Sequence, residues 1–209
     1  TTTDALRSAG RAAEAIGVDS LWTWDHFFPL RGDLNGAHFE AWTLLTALAV
    51  ETSRVQLGLL VGCARFRNPH LVADMARTVD HLSHGRLVLG LGSCSSQRDH
   101  DEYELDFGTP SSRVRDLDSY LNRVRSRLRQ LNPPPVGRLP VLIGGDAKAT
   151  LRVVAKHADI WNGTGTPSEF GRRNRLLDSL CDEIGRDPSE IGRTAHLSVN
   201  NLAQVEAFI

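Results

Sequence analysis

Apolar positions along the chain switch repeatedly between helical spacing and short continuous runs, and that alternation is the pattern of a mostly parallel sheet built from βα units. Leu6, Ala9, Ala12, Ala13 and Ile16 recur on one helical face until Gly17 stops them. A strand over residues 19–24 follows, then a loop with Pro29, Gly32 and Asn35-Gly36, then an apolar helix over about 39–50. The same order returns with a strand over 55–61, a loop to Asn68-Pro69 and a helix over about 70–83, with Pro69 suited to a first helical position. A third strand, 87–91, leads into a polar loop through Gly108 and a charged helix that stops at Asn132-Pro133-Pro134-Pro135. The run 140–143, a helix over about 147–158, a short strand at 160–161, a helix over about 167–184 and a strand over 194–199 complete the pattern. These six predicted strands suit either a (β/α) barrel or a doubly wound sheet, because periodicity alone does not separate the two.

At 209 residues and 41% hydrophobic content, the chain is predicted to form a single α/β domain spanning 1–209. Lys plus Arg number 24 against 25 Asp plus Glu, so no global field favours nucleic acid or an anionic membrane surface as a partner. The apolar runs fall short of the roughly 20 residues that cross a bilayer, and the opening Thr-Thr-Thr-Asp does not resemble a signal peptide. Cys63, Cys94 and Cys181 are odd in number, distant in sequence and without CxxC spacing, which predicts neither a disulfide framework nor a zinc site and suits a cytoplasmic protein. His81 and His84 have no evident further ligands, and Asp99-His100-Asp101-Glu102 reads as a solvated charge run.

Candidate chemistry gathers where strands end. Asp25-His26 follows the first strand, and His is the side chain best suited to carry a proton near neutral pH; a capping Asp and a surface His explain the same pair. Gly144-Gly145 joins a strand to a helix whose N-terminal amides suit a phosphate, or it is an ordinary tight turn with Asp146 as N-cap. Trp24, Phe27, Phe28 and Trp161 suit a hydrophobic substrate and equally suit packing.

Five stretches, in order and covering nearly the whole chain, carry a family resemblance: AAEAIGVDSLWTWDH from residue 12, LLTALAVETSRVQLGLLVGCARFRNP from 44, HLSHGRLVLGLGS from 81, NPPPVGRLPVLIGGDAKATLRVVAKHADIWNGTG from 132 and GRDPSEIGRTAHLSV from 185. Together they resemble the luciferase-like monooxygenase family, especially its branch that uses the deazaflavin coenzyme F420. The resemblance implies a (β/α)8 TIM barrel, here lacking the first strand and the C-terminal unit, and often a homodimer. It implies an oxidoreductase that moves a hydride between F420 and a small organic substrate. It assigns proton transfer to His26 and cofactor contact to Asp25. Leu60, Val61, Gly62 and Cys63 would line the flavin-like ring, with a non-prolyl cis peptide near Leu60-Val61. Ser93 and Arg98 would contact the cofactor, and Gly144, Gly145, Ala147 and Lys148 would hold its phosphate. Relatives often place Gly-Trp or Gly-Glu where this chain has Cys94-Ser95, and the Glu is the acid or base of sugar-phosphate dehydrogenases; its absence argues against that substrate. An FMN-dependent monooxygenase and a non-catalytic flavin-binding barrel are the alternative readings.

Overall fold

The computed structural model describes residues 2–197 and 205–208. They divide into two compact units, 1–139 and 140–209.

The first unit opens with helix α1 (Thr3–Ala15), capped by the Thr2 hydroxyl, and strand β1 (Ser20–Thr23). Helix α2 (Ala41–Glu51) is followed by strand β2 (Gln56–Leu59), a second short strand β3 (Gly62–Cys63) and helix α3 (Pro69–Leu82). Strand β4 (Leu87–Gly92), a short helix α4 (Gln97–Glu102) and the long helix α5 (Pro110–Leu128) complete it. Strands β1, β2 and β4 lie side by side in parallel, and β3 pairs in parallel with the end of β4.

Two expectations are corrected here. The strand predicted over 55–61 is broken, because a cis peptide at Leu60-Val61 separates β2 from β3. The segment read as a polar loop through Gly108 contains α4, which starts where the Ser96 hydroxyl accepts the Asp99 N–H.

All six residues of β4 are buried, and Leu87, Leu89 and Leu91 are each 1% exposed. Each contributes on the order of 1.5–3 kcal/mol of hydrophobic stabilisation. Gly90 belongs to the same strand because a β-carbon there would stand 1.8 Å from the Leu59 carbonyl oxygen. Arg86, just ahead of β4, donates to the carbonyls of Ala49 and Thr52 near the end of α2, to Val55 and to Ser83. One guanidinium thereby satisfies carbonyl groups that the helix itself leaves without partners.

The second unit has strand β5 (Val141–Gly144), helix α6 (Lys148–His157), strand β6 (Ile160–Gly163), helix α7 (Pro167–Asp182), a 3₁₀ turn (Pro188–Glu190) and strand β7 (Gly192–Ala195). Its three strands are parallel in the order β5-β6-β7. The last strand begins earlier than the 194–199 expected, and the end of that stretch, 198–199, lies outside the described residues. Arg186 repeats the device of Arg86, donating to the carbonyls of Ala155 and Ala158 at the end of α6. Thr166 and Glu169 form a reciprocal capping box that starts α7. No helix among the described residues is long and apolar enough to cross a membrane.

Candidate active site

Beyond β1 the chain turns inward at Asp25, which is 3% exposed. A carboxylate buried that deeply needs partners, and it accepts three hydrogen bonds from two of them. Arg67 grips it with both guanidinium nitrogens, Nη1 to Oδ2 at 2.7 Å and Nη2 to Oδ1 at 2.9 Å, while the Cys63 N–H donates to Oδ2 at 3.0 Å. Arg67 also reaches Glu40 at 2.7 Å. Burial alone would lower the Arg67 pKa, but hydrogen bonds and charge from Asp25 and Glu40 outweigh it and hold the guanidinium above its ordinary value. Asp25 therefore ties the end of β1 to the bulge at β3. Arg67 was not singled out from sequence, since a lone arginine in a loop carries no distinguishing pattern.

His26 sits beside this network with its side chain 19% exposed, and its Nδ1 lies 2.5 Å from Asp99 Oδ2. The other Asp99 oxygen accepts the Phe27 N–H at 3.0 Å. Asp99 is 1% exposed and His100 is 0% exposed, which overturns the reading of a solvated charge run for these two residues, while Asp101 and Glu102 are exposed as that reading expected. The correction has a local cause: α4 turns both residues inward, and Asp99 finds its donors on the loop after β1. The Ser96-x-x-Asp99 spacing of a helix start was the available signal. With Nδ1–H donated to a buried carboxylate, Nε2 is the nitrogen left to give or take a proton. His38 steadies the same loop, its Nε2 lying 2.7 Å from the His26 carbonyl oxygen.

Leu60 and Val61 are half-buried, and Gly62 and Cys63 are buried at the cis-peptide bulge. Cys63 is joined to Cys94 in a disulfide, Cα to Cα 4.9 Å, contrary to the expectation of no disulfide. Sequence distance misled because parallel pairing of β3 with β4 brings two residues 31 apart to neighbouring strand ends. Ser93 is half-buried between β4 and Cys94. Arg98 points its guanidinium to the Leu34 carbonyl at 2.8 Å and to Asn35 Oδ1 at 2.7 Å, and lies 4.1 Å from the Phe28 ring centre. It holds the 34–35 loop against α4.

In the second unit, Gly144 closes β5 and Gly145 adopts a φ of +134°, which residues with a β-carbon rarely take. The Trp161 indole N–H donates to the Gly145 carbonyl at 2.9 Å. Asp146 is not the N-cap of α6. Its carboxylate accepts the Thr164 N–H and hydroxyl and faces Arg173, so it is turned away from the helix start. Ala147 is the N-cap and offers no side-chain acceptor, which leaves the first amides of α6, beginning at the exposed Lys148, without a side-chain partner.

A family model described as luciferase-like monooxygenase matches residues 1–201. A phthiodiolone/phenolphthiodiolone dimycocerosates ketoreductase of Mycobacterium tuberculosis is 27% identical, over 88% of this chain and 58% of its own. The chain thus spans less than two thirds of such curated relatives. An F420-dependent glucose-6-phosphate dehydrogenase of Amycolatopsis mediterranei is 44% identical over 84 residues, which cover 39% of this chain and 24% of that protein. Among solved structures, an F420-dependent secondary alcohol dehydrogenase in complex with an F420-acetone adduct superposes with a TM-score of 0.82 at 22% identity, covering 92% of this chain and 63% of that one. These matches agree with the parallel βα architecture of both units, and the chain belongs to the luciferase-like monooxygenase family.

Proposed function

We propose that the chain is the core of an F420-dependent oxidoreductase with a (β/α)8 barrel fold, and that His26 is its proton carrier. The observation carrying this reading is the His26–Asp99 pair at the end of β1. A hydride-transferring cofactor adds or removes only the hydride, so oxidation of an alcohol, or reduction of a carbonyl, also needs a group to hold the proton.

Each unit, taken by itself, carries residues that fit one part of such a cofactor. The glycine turn at Gly144-Gly145 and the uncapped start of α6 at Ala147 and Lys148 offer free amides and a cation to a phosphate. The bulge over Leu60, Val61, Gly62 and Cys63 offers apolar surface and backbone to a flat ring, with Ser93 and Asp25 beside it. A deazaflavin held at the β3 bulge would supply the hydride-accepting carbon. Asp99 holds the His26 ring in one orientation; His26 Nε2 takes the proton from the substrate hydroxyl or returns it to the carbonyl oxygen. Arg67 and Asp25 hold the β3 bulge at its place beside β1.

The test is a fluorescence titration of the protein with F420 and with FMN, followed by a turnover screen on secondary alcohols and ketones with His26→Asn beside the parent. The expected result is binding of F420 in preference to FMN, and a fall in turnover for the variant of roughly 10² to 10⁴, the usual contribution of a positioned acid or base. Preference for FMN with oxygen uptake would favour a monooxygenase instead. Unchanged turnover by His26→Asn would remove His26 from the proton step.

A further inference from the structure

Cys63, Cys94 and His100 form a cluster in which one ligand atom from each lies within 4.8 Å of the others. The His100 Nδ1 lies 2.8 Å from the Ser96 carbonyl oxygen, so this nitrogen carries the ring proton. Nε2 is then the nitrogen with a free lone pair, and it faces Cys63 Sγ at 3.9 Å. A backbone carbonyl fixing one imidazole nitrogen while the other faces two sulfurs is the arrangement that orients metal-binding histidines. The ring is 0% exposed and is flanked by Phe66 and Phe107, with ring centres 5.0 and 4.8 Å away. Cys94 is less buried than Cys63 and gives the cluster a side toward solvent.

We propose that, once the disulfide is reduced, Cys63, Cys94 and His100 bind one zinc ion, leaving the fourth position to water. Tetrahedral zinc, with bonds of about 2.3 Å to sulfur and about 2.0 Å to nitrogen, holds sulfur and nitrogen roughly 3.6 Å apart. The observed 3.9 Å between Cys63 Sγ and His100 Nε2 needs only a small adjustment to reach that spacing. Two thiolates balance the charge of the ion, and imidazole with thiolates is a donor set that zinc prefers. A cellular dithiol supplies the two electrons and two protons that turn the disulfide into two thiols, and is itself oxidised to a disulfide. Zinc then displaces the two thiol protons. The cluster would exchange a covalent crosslink for a metal crosslink between the same two strand ends, so α4 and its Asp99 stay anchored in both states.

The test uses the whole chain, reduced under nitrogen with a phosphine, which takes the oxygen of one water while its two hydrogens pass to the sulfurs. Excess phosphine is removed, and zinc alone is titrated in against a competing chromophoric chelator. The expected result is one equivalent bound per chain, no binding by the oxidised protein, and zinc-dependent protection of Cys63 and Cys94 from alkylation, with Cys181 shielded by burial in either case. Cobalt in place of zinc should show thiolate-to-metal absorption in the near ultraviolet. Cys94→Ser and His100→Gln should each weaken binding by at least about 100-fold, beyond the 10- to 100-fold that loss of an outer hydrogen-bond partner costs, while Cys181→Ser leaves it unchanged. Thermal melts of each variant separate loss of a ligand from loss of folding. Less than a tenth of an equivalent bound by the reduced parent, or equal affinity in a folded Cys94→Ser variant, would overturn the proposal.

Discussion

Replacing Arg67 with methionine keeps much of the side-chain length and removes the two guanidinium hydrogen bonds that neutralise Asp25. The Asp25 side chain is 2% exposed and that of Arg67 13%, so water does little to replace what is lost. One partner would remain to the carboxylate, the Cys63 N–H at 3.0 Å. Breaking a buried ion pair from one side costs about 3–5 kcal/mol, because the surviving charge stays desolvated. With a urea slope of about 2 kcal/mol per molar, the unfolding midpoint should drop by roughly 1.5–2.5 M. Asp25→Asn should also destabilise, since its amide turns donors toward the donors of Arg67. The double variant Asp25→Asn/Arg67→Met should be less damaged than the sum of the two by about 1–3 kcal/mol, the usual size of coupling between residues in contact. Chemical denaturation followed by circular dichroism measures all four proteins. A cost below about 1 kcal/mol for Arg67→Met, or strict additivity of the pair, would show that this ion pair does not hold the β1 end to the β3 bulge.

Three further outcomes are expected. Asp99→Asn should lower turnover less than His26→Asn does, because the His26 ring keeps a hydrogen-bond partner at that position but is held less firmly in its orientation; unchanged turnover would contradict a positioning role for Asp99. Gly90→Ala should cost more than about 3 kcal/mol or prevent folding, with its β-carbon 1.8 Å from the Leu59 carbonyl oxygen, whereas Gly137→Ala, with nothing within 4 Å, should stay within roughly 0.5 kcal/mol of the parent in thermal melts. Burial would raise the Glu40 pKa, but hydrogen bonds from Thr43 and from the Trp42 N–H, with the charge of Arg67, outweigh it and bring it below its ordinary 4.5. Its stabilising effect is therefore complete above about pH 4.5 and fades as the pH falls further, so the gap in urea midpoint between the parent and Glu40→Gln should be constant near neutrality and narrow in that acid range.

Apart from α4 and the break between β2 and β3, the pattern of apolar residues by itself determined the order of strands and helices, because hydrophobic periodicity and end signals such as Pro69 are local properties. The strand ends at Asp25-His26, Leu60-Cys63 and Gly144-Gly145 were legible for the same reason, and the family resemblance pointed to the cis Leu60-Val61 bond that the structure contains. Local signals failed where a residue's role depends on a partner far away in the chain. Asp99 reads as one acid among several until α4 turns it toward His26, 73 residues distant, and Arg67 is unremarkable until Asp25 is buried beneath it. Asp146 has the composition of an N-cap, yet Thr164 and Arg173 draw its carboxylate away and leave the start of α6 open. The cysteines show the limit most plainly. Their spacing in sequence argued against pairing, whereas the parallel register of β3 and β4 puts Cys63 and Cys94 at adjacent strand ends, and register is set by long-range packing that sequence spacing does not record.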